Sequence, residues 1–195
     1  KVLGKRNGSR NLYQKISKIT GRKMKTFKDY LVEFDTPQIY CDMDGVLADF
    51  VKFTTEHLGH PFKDKYWTEL PENMFAILPP MQDAHQLWRF IGKYNPFILT
   101  AVPRQNESRG PIADNAPDDK KKWMKKHFRV SEDKVYAVKR INKSNFAKDG
   151  RDKRPNLLID DHAKNIEAFK KAGGLGIVHT SARNTIKELK KLGYK

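Results

Sequence analysis

The chain has 195 residues, 39 Lys or Arg against 23 Asp or Glu, and a formal net charge of +16, with 38% hydrophobic residues and one cysteine. That length suits one domain with a short tail or insertion, and the apolar runs that recur along it exclude a wholly disordered chain. No stretch reaches the roughly 20 apolar residues that span a bilayer, no apolar leader opens the sequence, and Cys41 alone closes no internal disulfide, so a cytoplasmic, reducing setting without a membrane is expected. The positive charge favours an anionic partner.

Half of that charge lies in residues 1–23, where eight Lys or Arg stand with no acid. This basic arm suits non-specific contact with nucleic-acid phosphates, or a solvated tail, or sequence upstream of a second start at Met24. Met24–Glu33 then places Phe27, Tyr30 and Leu31 at helical spacing. The segment resembles the capsid-targeting peptides of internal proteins in large tailed phages, with Leu31-Val32-Glu33 in the place of their cleavage site. That resemblance implies a phage protein acting in the host cytoplasm or packaged in the virion; an ordinary docking helix is the alternative.

From Pro37 the pattern becomes regular. Gln38–Cys41, Phe97–Thr100, Val135–Val138, Leu157–Asp160 and Leu175–His179 read as strands buried on both faces. Helical periodicity fills the intervals. Residues 82–94 gather Ala84, Leu87, Trp88 and Ile91, and residues 118–128 open at Pro117-Asp118-Asp119 and gather Trp123, Met124 and Phe128. Residues 162–172 turn Ile166 and Phe169 inward and stop at Gly173-Gly174, and Ser181 caps a last helix carrying Ile186 and Leu189. The alternation predicts an α/β fold, a Rossmann-like parallel sheet flanked by helices. Residues 1–36 are expected to form the arm and 37–195 the domain, with the long interval 50–95 building a small helical cap between strands one and two.

The strongest chemical signal ends the first strand: Ile39-Tyr-Cys-Asp42-Met-Asp44-Gly45, followed by Asp49. Two carboxylates at a strand end face the crevice where open parallel sheets bind ligands. Their mutual repulsion calls for a divalent cation or a shared proton, which suits a Mg²⁺ site with room for a phosphate. A calcium loop is excluded because Phe53, and not a glutamate, stands at the twelfth position counted from Asp42. Leu157-Leu-Ile-Asp160-Asp161 ends another strand with a second acid pair, Thr100 closes a third, and Lys139, Lys143 and Lys148 follow the strand at 135–138.

Together these pieces resemble the haloacid dehalogenase superfamily of phosphohydrolases over about residues 37–192. The resemblance implies that Asp42 is the nucleophile that forms an aspartyl-phosphate and Asp44 the general acid and base. It further implies that Thr100 binds the phosphoryl group and that a lysine balances its charge, Lys143 in preference to Lys148. Mg²⁺ would be held by Asp42, the backbone carbonyl of Asp44, and the pair Asp160/Asp161, with Asp161 the direct ligand and Asp160 orienting the lysine.

Within the superfamily the chain is most similar to the 5′(3′)-deoxyribonucleotidases, through Asp42-Met-Asp-Gly-Val-Leu-Ala-Asp49-Phe50, the Asp160-Asp161 motif and Lys121-Lys-Trp123. That similarity implies a 5′-nucleotidase acting on (deoxy)nucleoside monophosphates. Thr100, Ala101 and Lys143 would hold the phosphate, and cap aromatics, Phe50 and Trp67 first among them, would stack on the base. Those aromatics equally suit the cap's own core. The alternatives are a polynucleotide 3′-phosphatase tethered by the basic arm, and a packaged nucleic-acid-binding protein with an inactive domain. The six histidines form no ligand cluster; His57 and His60 read as surface residues and His162 as a helix-start residue.

Overall fold

Short β-branched and aliphatic runs separated by amphipathic stretches leave the chain one economical arrangement, a parallel sheet covered on both faces. A computed structural model describes residues 36–105, 110–150 and 153–195, and Pro37–Lys195 is one compact unit. The basic arm and Met24–Glu33 lie outside the described residues. Five strands run parallel: β1 (Ile39–Cys41), β2 (Phe97–Ala101), β3 (Val135–Val138), β4 (Leu157–Asp160) and β5 (Leu175–Val178). Their order is β3-β2-β1-β4-β5, with Cys41 beside Ile98 on one side and Ile159 on the other. The chain builds outward from β1 to one edge, then crosses back to β4. The C-terminal ends of β1 and β4 therefore flank the switch point where a ligand crevice opens.

Burial on both faces holds for the inner strands β1 and β4, whose residues are all buried. It does not hold at the edges: β3 buries only Val135 and β5 only Ile177, and Val178 is 42% exposed. An edge strand has no neighbour on one side, so its outer residues stay open to water even where the sequence is apolar.

Among the described residues of the unit there are six α-helices: α1 (Phe50–Leu58), α2 (Met74–Ile77), α3 (Ala84–Ile91), α4 (Gly110–Phe128), α5 (Ala163–Lys171) and α6 (Ala182–Lys191). Asp49 caps α1 by accepting from the Lys52 N–H at 2.9 Å, and Ser181 caps α6 by accepting from the Asn184 N–H at 3.2 Å. One sequence expectation needs correction. Helix α4 starts at Gly110, well before 118, and carries Pro117 inside it. Pro111 in the first turn sets the helical φ where no N–H is needed, and buried Ile112, Ala113 and Ala116 offset the hydrogen bond that Pro117 removes. Helix α3 buries Ala84, Leu87 and Ile91 and packs against α6, where Asp83 accepts from the Ala182 N–H at 2.6 Å. The segment inserted between β1 and α3 precedes it.

That inserted segment has an aromatic heart. Phe50 meets Phe62 edge-on at 5.2 Å and stacks on Phe75 at 6.4 Å, while Phe62 meets Trp67 at 5.2 Å. Trp123 on α4 donates its indole N–H to the Leu78 carbonyl at 2.7 Å, tying the segment to the body. Among the described residues no helix is long and apolar enough to cross a membrane.

Candidate active site

Asp42 directly follows β1, and its N–H continues the ladder by donating to the Ile159 carbonyl at 2.8 Å. The chain then turns tightly: the N–H groups of Val46, Leu47 and Ala48 all donate to the Met43 carbonyl. Gly45 sits in this turn at φ 76°, and a Cβ there would lie 2.3 Å from Oδ2 of Asp161. Both the backbone and the neighbouring carboxylate therefore require glycine.

Opposite Asp42 stands Lys143, buried to 2% exposure in the middle of the segment Arg140–Phe146 that follows β3. Its Nζ lies 2.8 Å from Oδ2 of Asp42 and 2.7 Å from Oδ2 of Asp160. Burial alone would lower the lysine's pKa, but the two carboxylates outweigh it and hold the ammonium charged. Asp160 is fully engaged. Oδ1 accepts from the His162 N–H at 2.9 Å, Oδ2 accepts from Lys143, and Asn165 donates to both oxygens. Burial and the charge of Asp42 nonetheless push its carboxyl up to about 6.

A second cation serves Asp44. Lys120 on α4, wholly buried, places Nζ 2.5 Å from Oδ2 of Asp44 and 3.0 Å from Oγ1 of Thr100. Desolvation raises the Asp44 carboxyl, opposed by Lys120 and reinforced by Asp42. Its other oxygen, Oδ1, is buried without a hydrogen-bond partner.

The structure thus brings together Asp42, Asp44, Thr100, Lys143, Asp160 and Asp161 at one sheet edge. Ala101, the last residue of β2, adjoins them in sequence. Lys139 and Lys148 are not part of the group: both are exposed, and Lys148 lays its stem over Gly173. Of the two leading cap aromatics, Phe50 is half-buried, whereas Trp67 is buried and bonds Asp64 through its indole N–H at 3.2 Å. His162 serves as the N-cap residue of α5.

Oxygens of Asp42, Asp160 and Asp161 can all lie within 4.8 Å of one another. Three hard anionic donors at that spacing fit Mg²⁺. The carboxyls of Asp160 and Asp161 are each raised by burial first and by Asp42 second, a strain that a cation would relieve. The Asp44 carboxylate is bonded to Lys120 through Oδ2 and is not one of this trio. Gly45→Ala is expected to cost about 1–2 kcal/mol of stability through the left-handed backbone alone. It should also displace Asp161, so the thermal shift produced by Mg²⁺ should shrink beyond that loss; calorimetry with and without the ion checks both.

No family model matches the chain. A protein of Vibrio phage KVP40 named "Putative 5'(3')-deoxyribonucleotidase" is 27% identical over 135 residues, which are 67% of this chain and 69% of the phage protein. The chain resembles the deoxyribonucleotidase branch of the haloacid dehalogenase superfamily. A hydrolase from Streptococcus pneumoniae TIGR4, known from a crystal structure, matches with a TM-score of 0.47 and 14% identity, covering 80% of this chain and 99% of that one.

Lys120 escaped the sequence reading. It lies in the run Lys120-Lys-Lys122, which reads as a solvated face, and a helix begun at 118 is too short to show its stripe. With α4 begun at Gly110, the buried positions Ala113, Ala116, Lys120, Trp123 and Met124 recur at helical spacing, and Lys120 is the one cation among them. A lysine centred in an apolar stripe is the signal that could have found it.

Proposed function

We propose that the chain is a Mg²⁺-dependent phosphomonoester hydrolase that acts through an aspartyl-phosphate on Asp42, with (deoxy)nucleoside 5′-monophosphates as its substrates. The observation that carries this reading is the buried Lys143 held between Asp42 and Asp160, beside a second carboxylate, Asp44, and a buried strand-end hydroxyl, Thr100. A lone structural ion pair needs no such convergence at a sheet's ligand edge.

In the first step a carboxylate oxygen of Asp42 attacks phosphorus, and the bond to the leaving oxygen breaks with its electron pair. Asp44 gives that oxygen a proton, so the nucleoside departs as an alcohol. In the second step water attacks the phosphorus of the aspartyl-phosphate and passes a proton to Asp44, which releases phosphate and restores Asp42. Lys143 and the Thr100 hydroxyl are placed to balance and bind the oxygens of the transferring group. Asp42, Asp161 and the Asp44 carbonyl would hold Mg²⁺, with Asp160 orienting Lys143, and the ion would supply charge neutralisation at the phosphoryl oxygens. Phe50 is the better placed of the two leading aromatics to meet a base, because Trp67 is buried within the cap. The phage relative's name supports a nucleotide substrate and a host-cytoplasmic setting.

The test is phosphate release, with and without Mg²⁺, from dTMP, dUMP, sugar phosphates and a 3′-phosphorylated oligonucleotide. The expected result is Mg²⁺-dependent release from the nucleotides. Preference for the oligonucleotide would establish a polynucleotide 3′-phosphatase instead, and release from none would leave a binding protein.

Metal and pH should act on stability together. Because the folded protein holds the Asp160 proton up to about pH 6 while the unfolded chain releases it near the usual carboxylate value, stability from this group is greatest in acid. It falls as pH rises from about 4 through about 6. At neutral pH, Mg²⁺ at 100 times its Kd is expected to add about 2.7 kcal/mol. Thermal melts across that pH range, with Asp160→Asn as the reference, measure both effects.

A further inference from the structure

Resting on that phosphatase reading, we propose that Lys120 is a positioning residue that sets the general acid/base Asp44 and the phosphate-binding hydroxyl of Thr100 in register with each other. An ammonium has three donors and no acceptor. At 3.0 Å from Oγ1 of Thr100, Lys120 can only donate to that oxygen, which leaves the hydroxyl proton for a different acceptor such as a phosphoryl oxygen. At 2.5 Å from Oδ2 of Asp44 it occupies one carboxylate oxygen, so the unpartnered Oδ1 is the one left to serve the leaving group. One cation therefore fixes which atom of each neighbour faces the reaction.

Its own position is fixed just as firmly. Lys120 is wholly buried, one helical turn before Trp123, whose indole is bonded to the Leu78 carbonyl. Its Nζ stands 4.2 Å from the centre of the Phe75 ring on α2, a cation–π contact that closes the remaining side. A buried lysine is costly unless it is paired, and this one is paired with reacting groups, whereas Lys143 is paired with Asp42 and Asp160. Each of the two acids that follow β1 thus has a lysine of its own. Lys143 faces the nucleophile, and Lys120 faces the proton-transfer group. Helix α4 and the inserted segment meet at Lys120, so the seating of the segment on α4 also bears on the placement of Asp44.

The test uses the full chain with two esters, dTMP and 4-nitrophenyl phosphate. The nucleoside alkoxide needs a proton to leave, whereas the nitrophenolate departs without one. Read as the burst of leaving-group release, before water attacks, Lys120→Met is expected to slow dTMP by about 100-fold and the aryl ester, which feels only the loosened Thr100 hydroxyl, by about 5-fold. Asp44→Asn should show the loss on dTMP with little loss on the aryl ester, and on dTMP the double variant should be no more than about 5-fold worse than Asp44→Asn alone. If Lys120→Met does not fold, Lys120→Arg, which keeps the charge but moves it, should still lose more on dTMP than on the aryl ester. Equal losses on the two esters, or losses that multiply in the double variant, would overturn the inference while leaving the phosphatase reading intact. A wild-type protein inactive on both esters would overturn that reading, and the inference with it.

Discussion

Asp42→Asn is expected to lower phosphate release from a nucleotide by about 10⁴-fold or more, the scale seen when a covalent nucleophile is removed. The fold should survive. Lys143 keeps Asp160 at 2.7 Å, and the new amide oxygen can still accept from the Met43 N–H, which bonds Asp42 at 2.8 Å. The substitution also removes the charge that helps raise the carboxyls of Asp44, Asp160 and Asp161, so all three should titrate lower in the variant. Loss of turnover with an unmoved or raised thermal midpoint is the signature. A variant that loses activity only because it unfolds would assign Asp42 a structural role.

Lys143→Met should produce the largest loss of stability. It leaves the Asp42 and Asp160 carboxylates facing each other in a buried crevice without their shared cation, a change that costs about 3–5 kcal/mol. For a chain of this size that is a drop of about 6–20 °C in the thermal midpoint. The loss should be pH-dependent. With the cation gone the Asp160 carboxyl rises further, the folded state favours the protonated acid, and stability returns as pH is lowered. Asp160→Asn in the same chain should recover part of the loss at neutral pH. Thermal melts of the single and double variants between acid and neutral pH measure it.

The sheet was legible because its strands are short, strongly apolar and spaced by helix-length intervals. Val135–Val138 and Leu157–Asp160 fall where the apolar runs place them. The acids were legible because each stands at a strand end, where a charged side chain has few explanations other than the crevice. Three features were not. Pro117 looked like a helix start, because proline belongs in first turns; only the tertiary burial of Ile112, Ala113 and Ala116 makes an interior proline tolerable. Trp67 offered a ring that could stack on a base, but it packs against Phe50 and Phe62. Lys120 was hidden for a further reason. Its neighbours Lys121 and Lys122 share its charge but not its burial, and only the position on the helix separates them.

The account stands most directly on the fate of the phosphoryl group at Asp42. The wild-type protein, mixed with Mg²⁺ and 5′-³²P-labelled dTMP and quenched in acid within the first turnover, should carry label on the peptide containing Asp42. Hydroxylamine, which cleaves acyl phosphates, should remove that label, and Asp42→Asn should never acquire it. Phosphate released at the wild-type rate with no label on Asp42, or undiminished by Asp42→Asn, would contradict the account.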